Sequence, residues 1–119
     1  MTPANVADGP GGPGGFDTLA AIDPEAVVGT IAAATIDGAA VAVIRHAQGW
    51  VAVPDSCTHA HCPFTADGEV VDASTLVCNC HGSEYDLRTG EVLVGPAEAP
   101  LRIVALTVES GTLRLARPT

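Results

Sequence analysis

The sequence predicts an all-β fold, an antiparallel sandwich or barrel with a small two-loop subdomain at one end. Three features of the chain predict it. Short runs of β-branched and aliphatic residues recur at close spacing, glycine-centred turn dipeptides separate them, and apolar residues nowhere sustain a helical period.

The elements follow in order. Residues 1–15 are Gly/Pro-rich, with GPGGPGG at 9–15, and hold almost nothing to bury, so they read as a disordered tail or the remains of a linker. The composition changes at about Phe16, and residues 16–119 read as one domain, since 119 residues support no more. Asp23 to Val28 is short enough for a single turn. Val27 to Ile36 is a strand-like run ended by Asp37-Gly38, a dipeptide suited to a tight hairpin. Val41 to Arg45 and Trp50 to Val53 flank Gln48-Gly49 as a second hairpin, and Leu76 to Cys78 is a short strand. Leu101 to Val108 and Thr112 to Ala116 flank Ser110-Gly111 as a third. No internal repeat is present.

Composition narrows the function. Hydrophobic residues make up 47% but aromatics only 3%, so the core is built from Val, Ile, Leu and Ala. Fourteen acids against five arginines and no lysine give a formal charge of −9. Nucleic acid and anionic membranes are therefore poor partners, because phosphate contact needs clustered basic residues. A basic protein surface suits the charge better. No apolar run approaches the ~20 residues that span a bilayer, and no secretory signal opens the chain. The expectation is a soluble, cytoplasmic chain without direct membrane insertion.

All four cysteines and three of the four histidines fall between Cys57 and Cys80–His81, as Cys57-Thr-His59-Ala-His61-Cys62 and Cys78-Asn-Cys80-His81-Gly82-Ser83-Glu84-Tyr85. Taking Cys57 with His59 and Cys78 with His81 leaves a Cys-x-His and a Cys-x-x-His box. Two thiolates and two imidazoles on paired loops match a 2Fe–2S centre in which two histidines replace two cysteines on one iron. Cys57 and Cys78 then hold one iron, and His59 and His81 the other. The same four ligands also suit a tetrahedral zinc ion. Cys62 and Cys80 occupy matching places in the two loops and could join as a disulfide.

The ligand types carry the chemistry. A diferric core with two sulfides has two positive charges, which four thiolates turn into a dianion and two thiolates with two neutral imidazoles leave neutral. Adding an electron to a neutral site is easier, so such centres lie at roughly −150 to +300 mV, against about −400 mV for the all-cysteine plant type. The second ring nitrogen of each imidazole is free to exchange a proton or to hydrogen-bond a partner.

These boxes resemble those of the Rieske family, with Cys80-His81-Gly82-Ser83 and Tyr85-Asp86 similar to its second cluster box. The resemblance implies a Rieske-type fold with a cluster-binding subdomain and one 2Fe–2S cluster. It implies a Cys62–Cys80 disulfide as in the high-potential branch found in cytochrome bc-type complexes. It also implies that Ser83 donates to a bridging sulfide and Tyr85 to the sulfur of Cys57, both raising the potential. Gly95 to Pro100 resembles the proline loop that covers the cluster. The flanks, Val41 to His46, Gly49 to Val53, Gly68 to Val70 and Asp86 to Gly90, are similar to soluble Rieske ferredoxins that feed oxygenases. Asn79 stands where the family commonly has Pro, His61 where the high-potential type has Gly, and Ala60 in place of a larger Leu.

The resemblance implies an electron-transfer protein, not an enzyme in itself: a ferredoxin passing single electrons between a reductase and an oxygenase or similar terminal enzyme. Two other functions stay open at this point, a detached high-potential Rieske protein of a quinol-oxidising chain and a zinc-stabilised interaction module. The remaining candidates read as structural. His61 is a solvent-facing residue near the disulfide, His46 sits in a strand, and Trp50 is a core or edge aromatic. Asp67 and Glu69 lie in a turn without acid–base geometry, and there is no nucleophile triad or phosphate loop.

Overall fold

A computed structural model of the chain describes residues 18–116; the Gly/Pro-rich stretch 1–15 lies outside them. Among the described residues, nine strands form two antiparallel sheets. The five-stranded base sheet has the order β1 (Ile31–Ile36), β2 (Ala39–His46), β3 (Gly49–Pro54), β8 (Val104–Glu109) and β9 (Thr112–Leu115). The four-stranded sheet runs β4 (Gly68–Val71), β5 (Thr75–Cys78), β6 (Ser83–Asp86) and β7 (Val92–Val94). A 3-10 turn at Leu19–Ala21 precedes the base sheet, and one α-helical turn, α1 (Phe64–Asp67), leads into β4.

Turn chemistry fixes the base-sheet register. Asp37 and Gly38 both have positive φ, 53° and 81°, and join Ile36 to its partner Ala39. Ser110 and Gly111, at 53° and 77°, do the same between Glu109 and Thr112. Two-residue loops with both φ values positive match the right-handed twist of the flanking strands. The β2–β3 turn is Ala47-Gln48 rather than Gln48-Gly49, because His46 pairs with Gly49.

Strand alternation gives the base sheet two buried faces. On one face Val43, Trp50, Ala52, Leu106 and Leu113 pack with Leu19 from the 3-10 turn. On the other, Ala42, Ile44, Val51 and Val53 pack against Phe64, Leu76, Tyr85, Leu87 and Leu101 of the four-stranded unit. Covering both faces makes these strands read as continuous apolar runs. Trp50 belongs to the core as expected, its indole N–H donating to the Pro24 carbonyl at 3.1 Å.

The differences from the sequence expectation have local causes. Strand β1 starts at Ile31 rather than Val27, because Gly29, at φ 103°, turns the chain. Asp23 to Ala26 is closed by an Ala26 N–H bond to the Asp23 carbonyl, while Val27 is largely exposed. Asp67 closes α1 and Glu69 lies within β4 rather than in a turn.

Gly90 holds the far end of the proline segment. It has φ 85°, and a Cβ there would lie 2.0 Å from the Leu101 carbonyl oxygen. Its own carbonyl accepts the Leu101 N–H at 2.8 Å. Only glycine fits, since other residues clash in this conformation at this distance.

His46 is buried at the junction of the sheets, and the Gln48 N–H points at its Nδ1 at 3.5 Å. Burial lowers its pKa below 6.5, Arg45 and Arg88 push it the same way, and Asp86 opposes them. The unfolded chain therefore takes up this proton first as pH falls. The stability this neutral imidazole contributes is complete above 6.5 and is lost as pH drops from there towards the lower folded value. Urea midpoints should fall between about pH 7.5 and about pH 5.5, and His46→Gln should shrink that difference; an equal fall in the variant contradicts the assignment.

Candidate metal centre

Two loops build the site. The first, from Cys57 to Cys62, closes on itself through the Cys57 N–H to the Cys62 carbonyl at 2.8 Å and the His61 N–H to the Cys57 carbonyl at 2.9 Å. His61 takes φ 62°, the conformation that glycine adopts most readily. Asp55 fastens the entry, its carboxylate accepting from the Thr65 N–H at 2.9 Å and the Thr65 hydroxyl at 2.6 Å. The second loop spans the β5–β6 hairpin between paired Cys78 and Ser83. Gly82, at φ 88°, returns its N–H to the Cys78 carbonyl at 2.8 Å. The Asn79 N–H donates to the Asp67 carbonyl at 2.8 Å, a bond that a proline could not make. Its side chain reaches Glu69 at 3.1 Å, which gives that acid a structural task.

A disulfide joins the loops from Cys62 to Cys80, with Cα atoms 6.4 Å apart. Cys57 and Cys78 stay free, each 1% exposed. His59 and His81 lie at the exposed rim, their rings edge to face with centroids 5.0 Å apart. The four predicted ligands thus form two layers, thiols inside and imidazoles outside. Around a single tetrahedral zinc, with ligands at about 2.0–2.3 Å, all donors would lie within about 4 Å of one another. Among the described residues, three donors gather within 4.8 Å only at Cys62, Cys80 and His81, and two of those sulfurs form the disulfide.

The inner layer is wired to a third segment. Tyr85 Oη lies 3.2 Å from Cys57 Sγ and 2.9 Å from Thr58 Oγ1, and accepts from the Thr58 N–H at 3.3 Å. Thr58 gives its hydroxyl proton to the Ala99 carbonyl at 2.7 Å, which leaves the Tyr85 phenolic proton for Thr58 Oγ1 or Cys57 Sγ. Ser83, fully buried, accepts the Ala97 N–H at 3.0 Å. Among the described residues its own proton has no acceptor, and a buried donor without one is costly. That orphan fits a group with sulfide acceptors seated against the thiols. Gly95 to Pro100 therefore meets the site at Ala97 and Ala99.

The thiols differ in acidity. Burial raises the Cys57 pKa, but the Tyr85 hydroxyl and the backbone N–H groups of His59 and Ala60 outweigh it and leave it lowered. Cys78 is raised by burial and by its neighbour Cys57, against the Cys80 N–H. Burial, then Cys57, likewise raises Tyr85. His61, exposed, rests its Nδ1 3.2 Å from Ser56 Oγ.

The family model of the Rieske [2Fe-2S] domain matches residues 19–106. The chain belongs to this family. The ferredoxin component of the p-cumate 2,3-dioxygenase system of Pseudomonas putida is 33% identical over 76 residues, 64% of each chain. Cytochrome b6-f complex iron-sulfur subunit 1 of Synechocystis sp. is 41% identical over 58 residues, 49% of this chain and 30% of that protein. The match thus spans less than two thirds of either relative. The solved complex of reduced oxygenase and oxidized ferredoxin in carbazole 1,9a-dioxygenase contains a chain that superposes with a TM-score of 0.69 at 25% identity, covering 85% of this chain and 100% of that one. The Rieske domain implies a 2Fe–2S cluster, and the layered thiols and imidazoles with the orphan Ser83 proton fit one.

The spacing of the ligand boxes marks neither Thr58 nor the backbone groups of Ala97 and Ala99. Thr58 lies inside Cys-x-His, where the spacing names only the ends; its partners are distant in sequence.

The disulfide closes a separation of 18 residues. Cys62→Ser with Cys80→Ser should cost about 3 kcal/mol by the loop-entropy relation, read from urea unfolding of the holoprotein. The native chain should gain about two mass units on reduction under denaturing conditions, one hydrogen per sulfur. No mass change would contradict the bond.

Proposed function

We propose that this chain is a one-electron carrier, the ferredoxin component of an oxygenase system, which takes electrons from a reductase in the cytoplasm and delivers them to a terminal oxygenase. The observation that carries it is the layered donor set: buried Cys57 and Cys78 with exposed His59 and His81. In this reading Cys57 and Cys78 hold the inner iron and His59 and His81 the outer one, within a single domain comprising residues 16–119. The bound cluster supplies reversible one-electron chemistry at a potential above that of all-cysteine centres. The chain's own groups do the rest. Tyr85 and Ser83 place hydroxyl protons towards sulfur, the disulfide and the Gly95–Pro100 segment keep water from the inner layer, and the two exposed rings face the partner. In this reading the chain carries electrons and leaves substrate chemistry to its partner, which the ferredoxin-component relatives support.

Support for this role comes from the ferredoxin relatives and from the carbazole dioxygenase complex. No helix among the described residues is long and apolar enough to cross a membrane. A second reading, a high-potential Rieske protein of a quinol-oxidising chain, is favoured by the Cys62–Cys80 disulfide and by the similarity to the b6-f subunit. A zinc module is disfavoured by the separation of the four donors.

An EPR-monitored redox titration separates the readings. A potential between those of flavin reductases and oxygenases supports the ferredoxin role, and one suited only to quinol oxidation supports the second. A colourless protein with one zinc per chain contradicts both. Ser83→Ala and Tyr85→Phe should each lower the midpoint. The shift should be on the order of 60 mV, if each hydrogen bond is about 1.4 kcal/mol stronger in the reduced state. Unchanged midpoints contradict the roles given to these hydroxyls.

A further inference from the structure

The inner face of the four-stranded sheet is spent on the core, where Val70, Leu76, Tyr85 and Val92 line up across the strands. The opposite face carries a second cross-strand row. Glu69 pairs with Val77, Val77 with Glu84, and Glu84 with Val94. Paired residues project to the same side, so acid and aliphatic groups alternate across this face.

At its β7 end the row is distorted in a useful way. Glu84 pairs with Val94 but Tyr85 pairs with Val92, which leaves Leu93 as the extra residue of a β-bulge. A bulge breaks the alternation and re-aims a side chain, and here it turns two consecutive aliphatic residues outward. Leu93 is 49% exposed and Val94 47%. β7 is also an edge strand of its sheet, a position that natural proteins usually keep short and charged. The exposed strip runs on into Gly95 and Pro96, and from there to Ala97, whose N–H holds Ser83.

Acidic residues flank the strip in sequence and across the strands. Glu84 and Glu91 border it, Glu98 follows it, and Glu69 closes the far end of the row. Nearby Arg88 is held by Asp86 through bonds of 2.9 and 3.0 Å. An apolar centre with an acidic border is matched by an apolar patch with a basic border.

We propose that this outer sheet face, centred on Leu93 and Val94, is a docking surface for a redox partner protein that presents an apolar patch ringed by Lys and Arg. The proposal rests on the electron-carrier reading and extends the partner's footprint from the histidine rim along β7. It predicts fast, salt-sensitive association, because the glutamates bordering the strip steer a basic partner.

The test uses cytochrome c as a basic electron acceptor and ferricyanide as a small one. Holoprotein reduced with dithionite passes one electron to each ferric centre, and stopped-flow absorption gives the second-order rate constants. Leu93→Ser with Val94→Thr should slow transfer to cytochrome c roughly fivefold, with the reduction potential and the ferricyanide rate unchanged. Glu84→Gln with Glu91→Gln should slow the cytochrome c reaction and flatten its dependence on ionic strength. Wild-type rates to cytochrome c in both variants overturn the proposal. So does a wild-type homodimer in sedimentation that the Leu93/Val94 variant dissolves, since a second copy would then own this face. A wild-type chain that reduces neither acceptor overturns the carrier reading and this surface with it.

Discussion

Everything at the site depends on holding two loops together, so that the buried thiols of Cys57 and Cys78 lie behind the exposed rings of His59 and His81. The first loop follows the base sheet, the second caps a hairpin of the other sheet, and neither stays in place alone. The Cys62–Cys80 bond ties them covalently. The hydrogen bonds of Thr58, Tyr85 and Ser83 then draw in the segment from Gly95 to Pro100 as a third wall. Gly90 and the Leu101 N–H anchor that wall at its far end. The base sheet contributes rigidity: its central strands β2 and β3 are buried on both faces, and Phe64, Leu76 and Tyr85 join the four-stranded unit to it through apolar contact.

The layered arrangement has an electrostatic logic. The thiols sit inside, where the Tyr85 hydroxyl and backbone N–H groups reach Cys57 and lower its pKa, while burial and Cys57 raise that of Cys78. The rings of His59 and His81 stand at the exposed rim. In the proposed role an electron would enter at this rim, with the hydroxyls of Ser83 and Tyr85 stabilising the added charge from within. The formal charge of −9, with no lysine and five arginines, is of the sign that complements a basic surface.

Much of this is legible in the chain itself. The ligand boxes state their chemistry because metal coordination demands those residue types at those intervals, and the dipeptides Asp37-Gly38 and Ser110-Gly111 announce their hairpins through positive φ. The four-stranded sheet is less visible. Its strands β4, β6 and β7 have three or four residues each, too short to show a period, and they exist because the core rows and the loop between Cys78 and Ser83 hold them together. Phe64 to Asp67 is a single helical turn for the same reason. Thr58 escapes notice because its role comes from Tyr85 and Ala99, 27 and 41 residues away. The bulge at Leu93 is a matter of register, which no local pattern records.

The central claim is an asymmetric grip: two sulfurs on one iron and two ring nitrogens on the other. Pulsed EPR on reduced protein grown with nitrogen-15 histidine measures it directly. Two directly coordinated nitrogen-15 couplings should appear in the native chain, and His59→Cys or His81→Cys should each remove one. A reduced centre with no histidine nitrogen coupling, or couplings untouched by both substitutions, would contradict the account.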